Sequence, residues 1–490
     1  MSEIVLCTIN AKWIHPSLAL RLLKANLPGC LNVGEHGCKI LEFALRQPLA
    51  EKTAAVLAEA PKILAFSVSI WNHNATLELI QALETGWGAL KERPVVVLGG
   101  PELTPLPPDT EIFRHADFVI RGEGELCFAE LCSGILHNLG AARNKYGRFL
   151  EGGIADTKTI KSAYDFYTEE DLRHKLIYVE SSRGCPCHCA FCQSANNDPV
   201  RDFPLGPFLD DLGKLLLRCG GKTRTIKFLD RSFNAKPERA AEILKFCLGK
   251  IKNFCGPGDG SPQFHFEMIP SGFTRELLEL LALFPPGTIR LEIGIQSFNP
   301  ETNRLIRRAS DPEKELELID FLRDTTNAIL HADLIAGLPG EGYDSFGRGF
   351  DRLWAAFGGS KKNSGAEKSG AAPFEIQPGI LKCLPGTQIY EMAEKKEFKV
   401  SYNKTAPYEV TGTDCLPGHE MDKIKNFARF WELIVNRGLL PELSPVFAPA
   451  GVPVFERFMD VSQKLYGSFG KNWGIPKDQL EAALIKLQAQ

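Results

Sequence analysis

The chain has 490 residues, enough for two or three domains, each with an adequate core. Its 44% hydrophobic and 24% charged content is ordinary for a globular protein, and a net charge of -3 gives no electrostatic case for binding nucleic acid or an anionic membrane. A small-molecule or peptide substrate is therefore expected. Fourteen cysteines, no cationic and apolar leader at Met1-Ser-Glu-Ile, and no apolar run of bilayer length predict a cytoplasmic protein of a reducing cell, without a membrane partner.

From residue 3 to about residue 132, short apolar strands alternate with amphipathic segments. The strands are Ile4 to Ile9, Lys39 to Phe43, Ile63 to Val68, Val95 to Leu98 and Phe118 to Ile120, with helices expected over Ser17 to Leu27 and Ala75 to Leu90. Such alternation predicts a doubly wound parallel sheet of Rossmann or flavodoxin type. Ligands of these sheets sit beyond the carboxyl ends of the strands. Ser67, Ser69, Trp71 and Asn72 fall at the end of the third strand, Gly99, Gly100 and Pro101 at the fourth, and Gly122 and Gly124 at the fifth. Three loops of small residues on one edge favour a cavity there, although glycines also serve tight strand-to-helix turns.

The strand Ile177 to Glu180 runs into Arg183-Gly-Cys-Pro-Cys-His-Cys-Ala-Phe-Cys192, which places Cys185, Cys189 and Cys192 at C-x3-C-x2-C spacing. Three thiolates on a 4Fe-4S cluster leave one iron open to bind and activate a small molecule. Structural zinc, with His188 or Cys187 as a further ligand, is the competing reading. Zinc usually takes two separated ligand pairs, and the chain offers no second C-x2-C or H-x3-H. Cys187 lies out of register with the trio and reads as a spare thiol.

Five more strand candidates follow: Thr225 to Leu229, Phe264 to Met268, Ile289 to Gln296, Ile329 to Ile335 and Phe374 to Cys383. Helical stretches at Gly206 to Leu217, Pro237 to Leu248, Thr274 to Leu283 and Pro312 to Asp324 separate the earlier ones. Six parallel strands predict a partial (β/α)6 barrel with its chemistry on the top loops. Residues 358–373 are rich in glycine, serine and lysine and read as a flexible insertion, and from about Met421 the pattern turns helical.

The cysteine spacing after a strand, with Phe191 before the last thiol, resembles the signature of radical S-adenosylmethionine (SAM) enzymes. Later motifs agree. Glu292-Ile-Gly-Ile-Gln-Ser297, Asp333-Leu-Ile-Ala-Gly-Leu-Pro-Gly340 and Leu384-Pro-Gly-Thr387 resemble patterns of the branch that includes coproporphyrinogen dehydrogenase and the methylthiotransferases. The resemblance implies a 4Fe-4S cluster on the cysteine trio and a SAM pocket lined by Phe191, Glu267, Gln296, Arg308 and Asp333. Arg308 would pair with the SAM carboxylate, and the carboxylates and amide would accept from ribose hydroxyls. The family's glycine-rich segment reads Phe228-Leu-Asp-Arg-Ser-Phe-Asn234 here, so Asp230 is expected to take the SAM ammonium in its place.

The first domain resembles the B12-binding domain found ahead of radical SAM barrels, which implies cobalamin held near Ser67, Ser69, Gly99, Gly100, Pro101, Gly122 and Gly124. No D-x-H-x-x-G occurs, so no lower-ligand histidine is expected, and His15 and His73 at the same edge are expected to be structural. Expected boundaries are 1–140 for this domain, 141–172 for a linker, 173–400 for the barrel and 401–490 for a mostly helical C-terminal domain. The implied function is reductive SAM cleavage with cobalamin-dependent methyl transfer to an unactivated carbon, with electrons from a donor such as flavodoxin or ferredoxin. Cyclisation or rearrangement without methyl transfer, and a cobalamin or cluster sensor without catalysis, are the alternatives. The sequence names neither the substrate nor a catalytic residue.

Overall fold

The computed structural model describes residues 2–32, 37–89, 92–196, 199–254, 261–358, 374–438, 447 and 452–488. The chain divides into two compact units, Met1–Ser182 with Arg201–Leu229 and Lys250–Pro262, and Arg183–Val200 with Asp230–Gly249 and Gln263–Gln490.

The first unit contains β1 (Ile4–Asn10), β2 (Cys38–Ala44), β3 (Ile63–Ser67), β4 (Val95–Gly99), β5 (Phe118–Gly122) and β6 (Phe149–Gly153). They form one sheet in the order β2-β1-β3-β4-β5-β6, with every pairing parallel. All of β1 is buried, as a central strand covered on both faces must be. Val5, Cys7 and Ile9 pack with Leu79, Ile80 and Leu83 of the helix His73–Gly86, whereas Ile4 and Leu6 pack with Leu20 beyond the other face. The helices that follow β1 and β3 therefore cover opposite faces, and the order reverses between these two strands.

The stretch expected as a linker carries β6 and the helices Leu139–Tyr146 and Glu169–His174. The expectation fails at β6 because Phe149-Leu-Glu-Gly-Gly153 is a short edge strand with only Leu150 buried, too weak a pattern to read as a strand. Thr168 and Asp171 cap the helix Glu169–His174 reciprocally. Asp171 lies 2.7 Å from Arg21, which also meets Glu42 at 2.9 Å and stacks over Tyr167. That ion cluster fastens the segment to the first helix, Leu18–Asn26.

The second strand series begins in the first unit, where β7 (Ile177–Val179) pairs parallel with β10 (Thr225–Phe228). The two-residue strands β8 (Ser182–Arg183) and β9 (Arg201–Asp202) lie between them in the chain. In the second unit β11 (Gln263–Met268), β12 (Ile289–Gln296), β13 (Ile329–Ala336) and β14 (Phe374–Ile380) pair parallel in chain order. All six expected strands form. Along β12, the apolar Ile289, Leu291, Ile293 and Ile295 are buried, while Arg290, Glu292, Gly294 and Gln296 share the other face.

A hairpin of β15 (Val400–Tyr402) and β16 (Val410–Thr413) precedes the C-terminal helices, so the region expected to be helical opens with strands. Its helices Gly418–Trp431 and Phe455–Phe469 meet the helix Tyr343–Gly358 in an aromatic core. Phe350, Phe427, Trp431 and Phe458 lie at ring separations of 4.7 to 5.6 Å. The expected insertion at 358–373 lies, apart from Gly358, outside the described residues. Among those residues, no helix is long and apolar enough to cross a membrane.

Candidate functional site

The cysteine loop belongs to the second unit and is pinned at both sides by backbone bonds. Ala190 donates to Ile306 O at 2.9 Å and accepts from Ile389 N at 2.8 Å, while Cys192 N donates to Cys189 O at 3.0 Å. Cys185 and Cys189 are buried and Cys192 is half-buried. The thiol of Cys187 donates to the sulfur of Cys185, which with Ser232 and nearby Arg231 holds the Cys185 thiol below the usual range despite its burial. Cys187 thus touches the trio rather than standing apart from it. Burial raises the Cys189 thiol, and the Arg308 guanidinium beside it opposes that rise. Three thiols, two of them next to cations that favour thiolate, are a donor set suited to an iron-sulfur cluster.

The E-x-G-x-Q-S motif has a mechanical basis. Gln296 stands at φ 72°, in the left-handed region, at a register break between β12 and β13. A Cβ on Gly294 would lie 2.5 Å from Gln296 Nε2, so glycine there leaves the room into which that amide folds back over the strand end. Backbone strain at a non-glycine strand end is characteristic of sites that place one side chain deliberately. Arg308 donates to the Gly294 carbonyl and lies 4.0 Å from Glu315, leaving its Nε buried without a partner. The side chain expected to meet the SAM carboxylate is thus already anchored on the Glu292–Ser297 motif. Ser297 in turn donates to Glu341, which joins that motif to the Gly340-Glu341 end of the next one.

The remaining expected SAM residues differ in setting. Asp230 is buried, Phe191 is half-buried, and Glu267 pairs with Arg231 at 3.4 Å. Asp333 pairs with His331 at 3.0 Å. The register aligns Glu267, Glu292, His331 and Glu375 on neighbouring strands, with Arg290 and His265 one step earlier. His265 meets Glu292 at 2.9 Å, and His331 lies 3.1 Å from Glu375 and 2.7 Å from Arg290. Burial would lower the His331 pKa, but hydrogen bonds to Asp333 and Glu375 outweigh it and raise it to about 9. Burial pushes the Asp333 carboxyl up, helped by Glu292 and Glu267. Glu292, His331 and Asp333 bring ligand atoms within 4.8 Å of one another, inside a row of ion pairs that runs from His265 to Glu375.

Sequence reading missed this row because each charge stands alone within an apolar strand. The signal was present as period-2 alternation, with Arg290, Glu292 and Gly294 on one face.

In the first unit, the expected cobalamin residues lie on one sheet edge. Ser67 and Gly99 end their strands in mutual register, and Gly122 ends β5. Two glycines answer to the fold itself. A Cβ on Gly100, at φ 117°, would lie 2.3 Å from Val68 O, and one on Gly122, at φ 82°, 2.8 Å from Gly153 O. Ser69 is buried and donates its N–H to Asn72 at 2.8 Å, while Pro101 and Gly122 are exposed. His15 bonds Tyr178 at 2.6 Å and His73 bonds Glu102 at 3.1 Å, so both have structural partners. The same edge exposes Trp13, Ile14 and Trp71, apolar surface suited to a large amphipathic macrocycle.

Comparison with known proteins matches residues 5–132 to the B12 binding domain and residues 179–353 to the Radical SAM superfamily. The first implies cobalamin, and the second a 4Fe-4S cluster and SAM. A tRNA-2-methylthio-N(6)-dimethylallyladenosine synthase of Salinispora arenicola is 25% identical over 45% of this chain and 44% of its own length. The chain spans about half the length of the curated relatives it matches. Among solved structures, the radical SAM methyltransferase TsrM from Kitasatospora setae superposes with TM-score 0.61 at 16% identity, over 86% of this chain and 81% of that one. The cobalamin-dependent SAM radical enzyme OxsB does so with TM-score 0.66 at 12% identity, over 99% and 75%. These two likenesses establish the shared fold. With its cysteine trio on the barrel loop and its doubly wound domain ahead of it, the chain carries a radical SAM domain over residues 179–353 and a B12-binding domain over residues 5–132.

Proposed function

We propose that the protein is a cobalamin-dependent radical SAM methyltransferase that methylates an unactivated carbon of a small-molecule or peptide substrate, reduced by a flavodoxin or ferredoxin. The observation that carries the reading is the pairing, in one chain, of a three-thiol loop that leaves an iron open with a B12-binding domain. The likeness in fold to a protein described as a methyltransferase supports it. When bound, the cluster and SAM supply a carbon-centred radical and cobalamin supplies a transferable methyl group.

The chain's own residues hold and orient. Cys185, Cys189 and Cys192 fix the cluster on a loop whose backbone is bonded on two sides. Gln296, turned back over Gly294, Asp230, Glu267 and Asp333 offer the polar contacts for SAM, with Arg308 as the cation beside Cys189. The ion-pair row on β12 to β14 gives the same sheet face a fixed electrostatic lining that need not reorganise during reaction.

The test is anaerobic reconstitution with iron, sulfide and hydroxocobalamin, followed by reduction with SAM present. Expected are four iron atoms and one cobalt per chain, and S-adenosylhomocysteine formed together with 5'-deoxyadenosine. No cobalt after loading would sink the methyltransferase reading and leave radical SAM cleavage standing. Cobalt with 5'-deoxyadenosine alone, even when reduction is repeated, would favour rearrangement chemistry instead.

A further inference from the structure

The first unit holds a pocket apart from its sheet edge. It lies between the helix Leu18–Asn26, the segment 157–164 and the start of the helix Leu205–Cys219, and encloses about 140 Å³. An engineered apolar cavity of roughly 150 Å³ takes up benzene, so this space suits one ring or one branched chain. Leu18, Leu22, Ile160, Ala163 and Phe208 supply buried apolar side chains to its wall. None of its lining residues is among those expected to hold cobalamin, SAM or the cluster.

The wall is fixed by bonds that involve no occupant. Thr157 Oγ1 donates to Asp202 O at 2.7 Å, Lys161 N to Asn26 Oδ1 at 3.0 Å and Arg218 Nη1 to Tyr164 O at 2.9 Å. Glu180 N donates to Tyr164 Oη at 3.1 Å, and Phe203 N to Ser181 O at 3.0 Å. A pocket held in this way is preformed, so a ligand gives up little affinity to reorganisation.

Four charges accompany the apolar wall. Lys158 and Lys161 line the pocket as exposed residues, and among the described residues neither ammonium has an ion-pair partner. Glu180 and Asp211 are half-buried in the same lining, and Asp211 shares its carboxylate with Lys214 at 3.0 Å. A simple carboxylic acid bound here would answer the lysines but meet Glu180 as a like charge. A simple amine would do the reverse, and only a zwitterion with an apolar side chain complements both signs and the space between them.

We propose that this pocket binds a free amino acid with a single-ring or branched apolar side chain, its carboxylate at Lys158 and Lys161 and its ammonium at Glu180. The site uses neither the cluster nor cobalamin, so the inference stands apart from the methyltransferase reading.

Its test is calorimetric titration of the reconstituted full chain with L-phenylalanine, L-leucine, glycine, phenylacetate and phenethylamine. Saturating SAM is present throughout, so that the SAM pocket, which also accepts an α-amino acid group, is already filled. Phenylalanine and leucine are expected to bind with a Kd below about 1 mM. Glycine, which lacks the apolar side chain, and phenylacetate and phenethylamine, which each lack one charge, are expected to bind at least about tenfold more weakly. The double variant Lys158→Ala with Lys161→Ala should weaken phenylalanine about fivefold, as loss of exposed ion pairs does, and Glu180→Gln by a similar factor. Melting curves check folding, which the two exposed lysines should not affect. No binding of either amino acid, phenylacetate or phenethylamine binding as tightly as phenylalanine, or unchanged affinity in the lysine double variant would each overturn the assignment.

Discussion

Cys185 and Cys187 stand two positions apart and receive different roles from the same loop. Cys185 is one of the three thiols in register, and Cys187 donates to it. Replacing Cys185 by alanine should remove the cluster, with iron falling to background and no SAM cleavage. Replacing Cys187 by alanine should leave four iron atoms per chain, because only a polarising hydrogen bond is lost; an iron count that collapses in that variant would make it a ligand. The distinction was legible from spacing alone, whereas the contact was not, since hydrogen bonding between non-adjacent thiols depends on how the loop is pinned.

His331 makes a second prediction at this scale. Burial lowers its imidazole pKa, but hydrogen bonds to Asp333 and Glu375 outweigh that and raise it to about 9 from an ordinary 6.5. A raised folded pKa stabilises where the group is charged in both states, below about 6.5, and that stability drains away as pH climbs through about 9. The protein should therefore lose on the order of 2 kcal/mol between pH 6.5 and 10 that a His331→Gln variant does not lose. Urea unfolding of both proteins across that range measures the difference. Parallel pH profiles would show that His331 is neutral throughout.

Between elements, the first unit depends on a buried ion cluster that hydrophobic patterning does not reveal. Arg21 sits 2% exposed on the helix Leu18–Asn26 and joins β2, through Glu42, to the helix Glu169–His174, through Asp171. Removing the cation leaves two carboxylates with only Lys175 between them, at 3.7 Å from Glu42 and 2.9 Å from Asp171. Arg21→Ala should cost about 3–5 kcal/mol, the usual consequence of stripping one partner from a buried pair. A thermal melt unchanged within a degree or two would show that water fills in for the guanidinium. The strands of this unit were readable because each is an apolar run between turn residues. Residues 141–172 were misread because their anchors are charges, Arg21 with Asp171, separated by 150 positions in the chain.

For the whole molecule, the chain does not pass once from a first domain to a second. Arg201–Leu229 and Lys250–Pro262 return to the first unit after the cysteine loop has been laid down in the other. Sequence periodicity locates strands and helices, but it carries no record of such returns, because pairing partners are chosen by surfaces that come together late in the chain. A cut at residue 140, where strand and helix alternation stops being obvious and just past the B12-binding match at 5–132, passes through the sheet of the first unit. Such a fragment lacks β6, so the main-chain groups of Val119, Ile120 and Arg121 lose their partner strand and β5 becomes an open edge. It also lacks Asp171, leaving Arg21 with Glu42 alone. A fragment of residues 1–182 keeps both. The longer fragment should melt cooperatively and retain hydroxocobalamin through gel filtration, and the shorter should be aggregation-prone and melt without a sharp transition. Circular dichroism melts and cobalt counts on the two fragments decide it: equal cooperativity would mean that β6 and the Arg21 cluster decorate a domain already complete by residue 140.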